Sequence, residues 1–181
     1  MKLTRLQQQL KRHCPEGAVR WVAPSGIHLT LYFLGDILTE RVEPARAALS
    51  TVARNAALPG LTFEVQGLGA FPNLKRPRVI WVGVKDPMSR IALLHQAVNE
   101  ALASVGFTPE TRPFSPHLTL GRVRRQVSST DAGTLGRIVA ESDIGALGSV
   151  PVHEMVLFQS ELKPSGAVYT PLHTFNLKRA E

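Results

Sequence analysis

The runs His28-Leu29-Thr30-Leu31 and His117-Leu118-Thr119-Leu120 are the same four residues, met once in each half of the chain. Each lies in a short stretch where apolar and polar residues alternate, the pattern of a β-strand with one buried face. Side chains alternate between the two faces of a strand, so in each run the histidine and threonine point one way and the leucines the other. Each run therefore offers one imidazole beside one hydroxyl, and the repeat predicts two similar halves in a twofold arrangement.

Working outward from these runs, residues 18–22, 27–34, 61–68, 79–84, 117–123, 152–161 and 169–177 read as strands. Residues 4–12, 43–58, 86–105 and 130–141 read as helices. The third helix is the best marked. Asp86 can cap it, Pro87 suits its first turn, Ile91, Leu94, Val98, Ala101 and Leu102 form one stripe, and Gly106 ends it. Pro59 and Gly60 are read as stopping the second helix. The turn-rich stretch 69–77 is read as a long loop between two hairpin strands. This order suits an α+β fold with antiparallel sheets better than a parallel doubly wound one.

At 181 residues, the chain fits one domain of ordinary size or two small lobes sharing a cleft, and residues 1–181 are read as a single two-lobed unit. Hydrophobic residues make up 44% and charged residues 19%, the balance of a folded globular protein. No apolar run approaches the roughly 20 residues that span a bilayer, and the polar, basic start lacks the apolar centre of a secretory signal. No membrane association is expected, and a cytoplasmic location is. The single cysteine, Cys14, agrees with a reducing compartment. A formal charge of +7 favours a polyanionic partner without identifying it.

If the halves face each other across a cleft, two imidazoles and two hydroxyls converge, with Arg122 close to the second pair. That inventory suits in-line displacement at phosphorus: one histidine takes a proton from the attacking oxygen, the other gives one to the leaving oxygen, and Thr and Arg hold the nonbridging oxygens. A lone strand histidine is more often a structural residue bonded to a neighbour. Two identical runs reverse that balance. A zinc site wants three or four ligands, and neither run brings a second His, a Cys or a carboxylate at ligand spacing, so neither a metal nor a cofactor is expected.

The paired His-x-Thr-x runs resemble the 2H phosphoesterase superfamily, and their surroundings resemble its RNA 2',3'-cyclic phosphodiesterase branch, also called 2'-5' RNA ligases. The resemblance extends over residues 28–35 (His-Leu-Thr-Leu-Tyr-Phe-Leu-Gly), 67–72 (Gly-Leu-Gly-Ala-Phe-Pro), 77–81 (Pro-Arg-Val-Ile-Trp) and 114–122 (Phe-Ser-Pro-His-Leu-Thr-Leu-Gly-Arg). It closes with 160–166 (Ser-Glu-Leu-Lys-Pro-Ser-Gly) before Tyr169. It implies a bilobal, pseudo-twofold α+β fold: two antiparallel sheets flank a central cleft, with helices on the outer faces. It also implies that His117 activates water, that His28 protonates the departing 3' oxygen, and that Thr30, Thr119 and Arg122 grip the phosphate. The partner so implied is RNA or an oligonucleotide with a 2',3'-cyclic phosphate end, opened to a 2'-phosphate, with reverse 2'-5' joining. Sequence alone leaves the two imidazoles interchangeable and the oligomeric state open. Members of that family begin with an apolar strand ahead of the first helix, whereas this chain starts almost inside that helix. A strand is therefore expected to be missing, so that either the start lies upstream or another element or subunit covers the edge.

Two other readings remain. One is action on a small cyclic nucleotide or ADP-ribose cyclic phosphate; the other is a noncatalytic RNA- or nucleotide-binding module. Lys75, Arg76, Arg78, Arg124 and Arg125 could track a nucleic-acid backbone or form solvated turns. Phe71, Trp81 and Phe114 could stack a base or belong to the core. His13, His95, His153 and His173 lack the tetrad context and are read as surface or structural residues.

Overall fold

Leu6 and Leu10, one helical turn apart, are buried with Gln7 between them, and they anchor the first helix, α1 (Lys2–His13), to the core. The computed structural model describes residues 2–55, 61–163 and 166–177. The remaining elements are β1 (Val19–Trp21), α2 (Val42–Asn55), β2 (Thr62–Phe71), β3 (Val79–Lys85), α3 (Arg90–Ser104), β4 (His117–Val123), α4 (Ser129–Glu141), β5 (Ala146–Pro151), β6 (Glu154–Lys163) and β7 (Gly166–Asn176). Short 3-10 turns occupy Pro24–Gly26 and Thr39–Arg41.

The strands form two antiparallel sheets, one of five strands in the order β1-β4-β3-β2-β5 and one made of the β6-β7 pair. The antiparallel α+β class read from the sequence is the one found. The helices follow their apolar stripes: Ala45, Leu49, Val52 and Ala53 are buried on α2, and Ile91, Leu94, Val98 and Leu102 on α3. These side chains join Val65, Val82, Leu118 and Leu120 of the large sheet and Met155, Leu157 and Phe175 of the small one in a single core. A second cluster forms where Leu135 and Val139 of α4 meet Ile80, Val19 and Val123.

Four readings need correction. Residues 27–34 do not form a strand: Leu29 makes one isolated antiparallel bridge to Leu118, and residues 30–34 have no ladder partner among the described residues. Alternation alone does not make a strand, because the backbone groups need a neighbour to pair with. Instead, the Tyr32 hydroxyl donates to the Thr108 carbonyl. Second, β2 continues through Phe71, so Gly69, Ala70 and Phe71 belong to a strand and not to the loop. Gly69 is needed there because a Cβ would lie 2.3 Å from the Trp81 ring.

Third, α3 starts at Arg90 rather than at residue 86. The Asp86 carboxylate still caps it from outside, accepting the Met88 N–H at 3.2 Å and the Ile91 N–H at 2.6 Å across a turn in which Ser89 is left-handed, with φ 53°. Fourth, β5 went unread. Its residues are mostly exposed and show no apolar alternation; pairing with β2 makes it a strand. The expected stop at Pro59 and Gly60 lies outside the described residues.

Candidate active site

β4 turns His117 and Thr119 to the face away from Leu118 and Leu120, which are 6% and 0% exposed. Strict alternation would send Arg122 to the leucine face, since it lies three residues beyond Thr119. A bulge prevents this. Trp81 pairs with Thr119 and Ile80 with Gly121, so Leu120 has no partner on β3 and the phase of β4 shifts by one. Arg122 then pairs with Val79, two residues from Trp81 and on its face, which brings Arg122 to the side carrying His117 and Thr119. On the other flank of β4, Arg20 of β1 stands directly opposite Arg122.

The first tetrad meets the second through the Leu29–Leu118 bridge. In an antiparallel contact of this register, one step to either side sets His28 opposite Thr119 and Thr30 opposite His117. Both leucines face the core: Leu118 is part of it and Leu29 packs against it. The bridge thus sets the two tetrads side by side, and Arg122 lies on the face of β4 that carries His117 and Thr119. Among the described residues, the hydroxyls of Thr30 and Thr119 and the Arg122 guanidinium have no protein hydrogen-bond partner.

The two imidazoles are held in matching ways. His28 Nδ1 lies 2.9 Å from the Gly26 carbonyl, and His117 Nδ1 lies 2.7 Å from the Ser115 carbonyl. A carbonyl only accepts, so each Nδ1 carries a proton and donates, leaving Nε2 as the nitrogen free for chemistry. Tyr169 stands edge-on to His28, with centroids 4.7 Å apart and planes at 76°, and Phe158 lies 6.1 Å away. Phe71 stands edge-on to His117 at 4.9 Å and 81°, with Trp81 at 6.3 Å. Each ring is thus fixed by one carbonyl and two aromatic neighbours.

Buried Gln7 of α1 braces the strand junction from behind. Its side-chain amide donates to the Val22 carbonyl at 2.8 Å and to the Leu120 carbonyl at 2.9 Å, the second of these at the bulge. Val22 N–H also donates to Leu120, so the bulged residue has two donors on one carbonyl.

Phe114 is not part of this group. It stacks on His95 of α3 at 4.1 Å and 11°, which makes it a packing residue and gives His95 its structural role. Lys75 and Arg76 are exposed on a loop shaped by the Asn73 side chain, which accepts both of their backbone N–H groups. Arg20, Tyr169, Phe158 and Gln7 were not read from the sequence as site residues. In the sequence Tyr169 stands only at the end of a motif, and the other three become visible only once strand register and helix docking are known.

A family model for LigT-like phosphoesterases matches residues 1–81 and again residues 82–169, so each half separately carries its pattern. The RNA 2',3'-cyclic phosphodiesterase of Methanothermobacter thermautotrophicus is 32% identical over 177 residues, which is 97% of this chain and 90% of that protein. The Escherichia coli enzyme of the same name is 32% identical over 165 residues, 91% of this chain and 84% of its own. Among solved structures, E. coli LigT complexed with 3'-AMP superposes with a TM-score of 0.72 at 27% identity, covering 98% of this chain and 92% of that one. A Thermus thermophilus protein gives 0.75 at 25% identity, covering 99% and 91%.

Proposed function

This chain belongs to the LigT-like phosphoesterases, and from that membership we propose that it hydrolyses 2',3'-cyclic phosphates at RNA ends to 2'-phosphates. Residues 1–181 act as a single two-lobed unit in the cytoplasm. His117 takes a proton from water as the water oxygen attacks phosphorus; the bond from phosphorus to the 3' oxygen breaks, and His28 gives that oxygen its proton. Thr30, Thr119 and Arg122 donate to the nonbridging oxygens as charge builds on them. With a 5' hydroxyl in the place of water, the same displacement forms the bond from its oxygen to phosphorus as the bond to the 3' oxygen breaks, which joins the two ends through a 2'-5' linkage.

The observation that carries this reading is the Leu29–Leu118 bridge, whose register sets each imidazole across from the other half's hydroxyl. Its support at the atomic level is that both Nδ1 atoms are taken up by carbonyls, so both Nε2 atoms are free. No helix among the described residues is long and apolar enough to cross a membrane.

The test is incubation of the purified protein, with EDTA present, with an oligonucleotide ending in a 2',3'-cyclic phosphate, followed by identification of the hydroxyl that keeps the phosphate. Retention on the 2' oxygen is expected. His28→Ala and His117→Ala should each lower turnover by on the order of 10²- to 10⁴-fold while circular dichroism stays unchanged. Full activity in either variant excludes the two-histidine mechanism.

A further inference from the structure

We propose that Arg20 binds the phosphodiester preceding the reacting end of an RNA substrate, so that Arg20 and Arg122 form two successive phosphate sites along one wall; this rests on the phosphodiesterase reading above. β1 and β4 pair in antiparallel register with Val19 opposite Val123, Arg20 opposite Arg122 and Trp21 opposite Gly121. Val19 and Val123 are buried, while Arg122 is exposed and Arg20 half-exposed, so the two guanidinium side chains share the outward face. The bulge at Leu120 makes that face the one bearing His117 and Thr119.

Like charges directly opposite each other in a sheet are destabilising unless something neutralises them. Among the described residues, neither Arg20 nor Arg122 has an ion-pair or hydrogen-bond partner. An anion is the natural complement. Arg122 is nearer along the chain to Thr119 and the reacting phosphate, while Arg20 lies one strand over, about 4.8 Å away in the pairing direction.

The positive charge continues off the same end of the sheet. Val123 N–H donates to the Arg78 carbonyl at 2.9 Å and Arg124 N–H to the Ala18 carbonyl at 2.9 Å, so Arg78 and Arg124 follow immediately beyond the Arg20–Arg122 pair. A mononucleotide cyclic phosphate has no second phosphate to reach Arg20. An oligonucleotide does.

The experiment compares wild type with Arg20→Gln on a nucleoside 2',3'-cyclic phosphate and on a trinucleotide with the same cyclic end. The ratio of kcat/KM for trinucleotide over mononucleotide is expected to fall about 10-fold, through KM, with Arg20→Lys restoring much of it. For the trinucleotide, the slope of log affinity against log salt should shrink by about 0.7, the value for one phosphate contact on a single strand. An unchanged ratio, or equal loss on both substrates, overturns the proposal. If wild type turns over neither substrate, the phosphodiesterase reading fails. Fluorescence anisotropy with a trinucleotide ending in a 2'-phosphate then decides: weaker binding and a smaller salt slope in Arg20→Gln support the site, and equal binding overturns it.

Discussion

His28 and His117 share a device that reaches beyond their identity: a carbonyl two residues upstream takes up Nδ1, and a perpendicular aromatic ring stands against the imidazole. Small errors in aim are costly in proton transfer, because an ångström of misplacement can cost up to about 100-fold in rate. Phe71→Leu and Tyr169→Leu are therefore each expected to lower kcat about 10-fold with little change in KM, as read by steady-state kinetics on a cyclic-phosphate end. Cys14 makes a separate prediction. Burial pushes its thiol from the ordinary 9.0 up to about 11, so the fold favours the protonated form. The stability tied to that form is fully present below pH 9 and is lost as pH rises through about 11. Native protein should react with a thiol reagent along a curve displaced to higher pH than unfolded protein. At this scale, His28, Thr30, His117 and Thr119 were legible because a repeated local pattern carries them. Arg20 and Tyr169 were not, because their relation to the site comes from pairing between distant segments.

The decisive element is β4, where one unpartnered residue brings Arg122 round to the histidine face. Gln7 secures that irregularity from α1, and it is buried with its amide shared between two carbonyls. Gln7→Leu should cost about 1–3 kcal/mol, the penalty for stripping buried acceptors of a donor. Chemical denaturation measures that loss, and a rise in KM beyond it would locate the damage at Arg122. On α4, a Cβ at Gly136 would lie 1.8 Å from the Leu74 carbonyl oxygen. Gly136→Ala should therefore destabilise by about 1–3 kcal/mol as backbone is pushed aside. Helices were readable because their apolar stripes are local, as at Ile91, Leu94, Val98 and Leu102. Strands were less so: β5 has no stripe and exists through its neighbour, whereas residues 27–34 have the stripe and, among the described residues, no ladder partner beyond the bridge at Leu29.

At the scale of the molecule, the link between α3 and β4 should respond first to acid. Arg112 holds the Glu110 carboxyl at about 2, well below its ordinary 4.5, and Glu110 in turn anchors Asn99 of α3 through its backbone. Burial against Phe114 lowers His95 from 6.5, with Glu110 opposing. Both groups bind protons more readily in the unfolded chain, so their contributions are present above 4.5 and 6.5 and are lost as pH falls through the lower folded values. Protection against amide exchange, relative to the intrinsic rate at each pH, should fall across residues 105–116 below neutral pH before it falls in β2 and β3; a uniform fall would contradict this.

The crossing at Leu29 and Leu118 also acts as a local dyad. In the reaction proposed here, a cyclic ester turned half a revolution about it would meet an imidazole and a hydroxyl in the same places, so the histidines by themselves would not tell the 2' oxygen from the 3' oxygen. The direction in which the ring opens must be dictated by whatever violates the dyad. The plainest violation lies three residues beyond each threonine, where one half carries Arg122 and the other carries Phe33, 79% exposed. The proposed reaction thus leaves its regiochemistry to the groups that the internal duplication failed to copy.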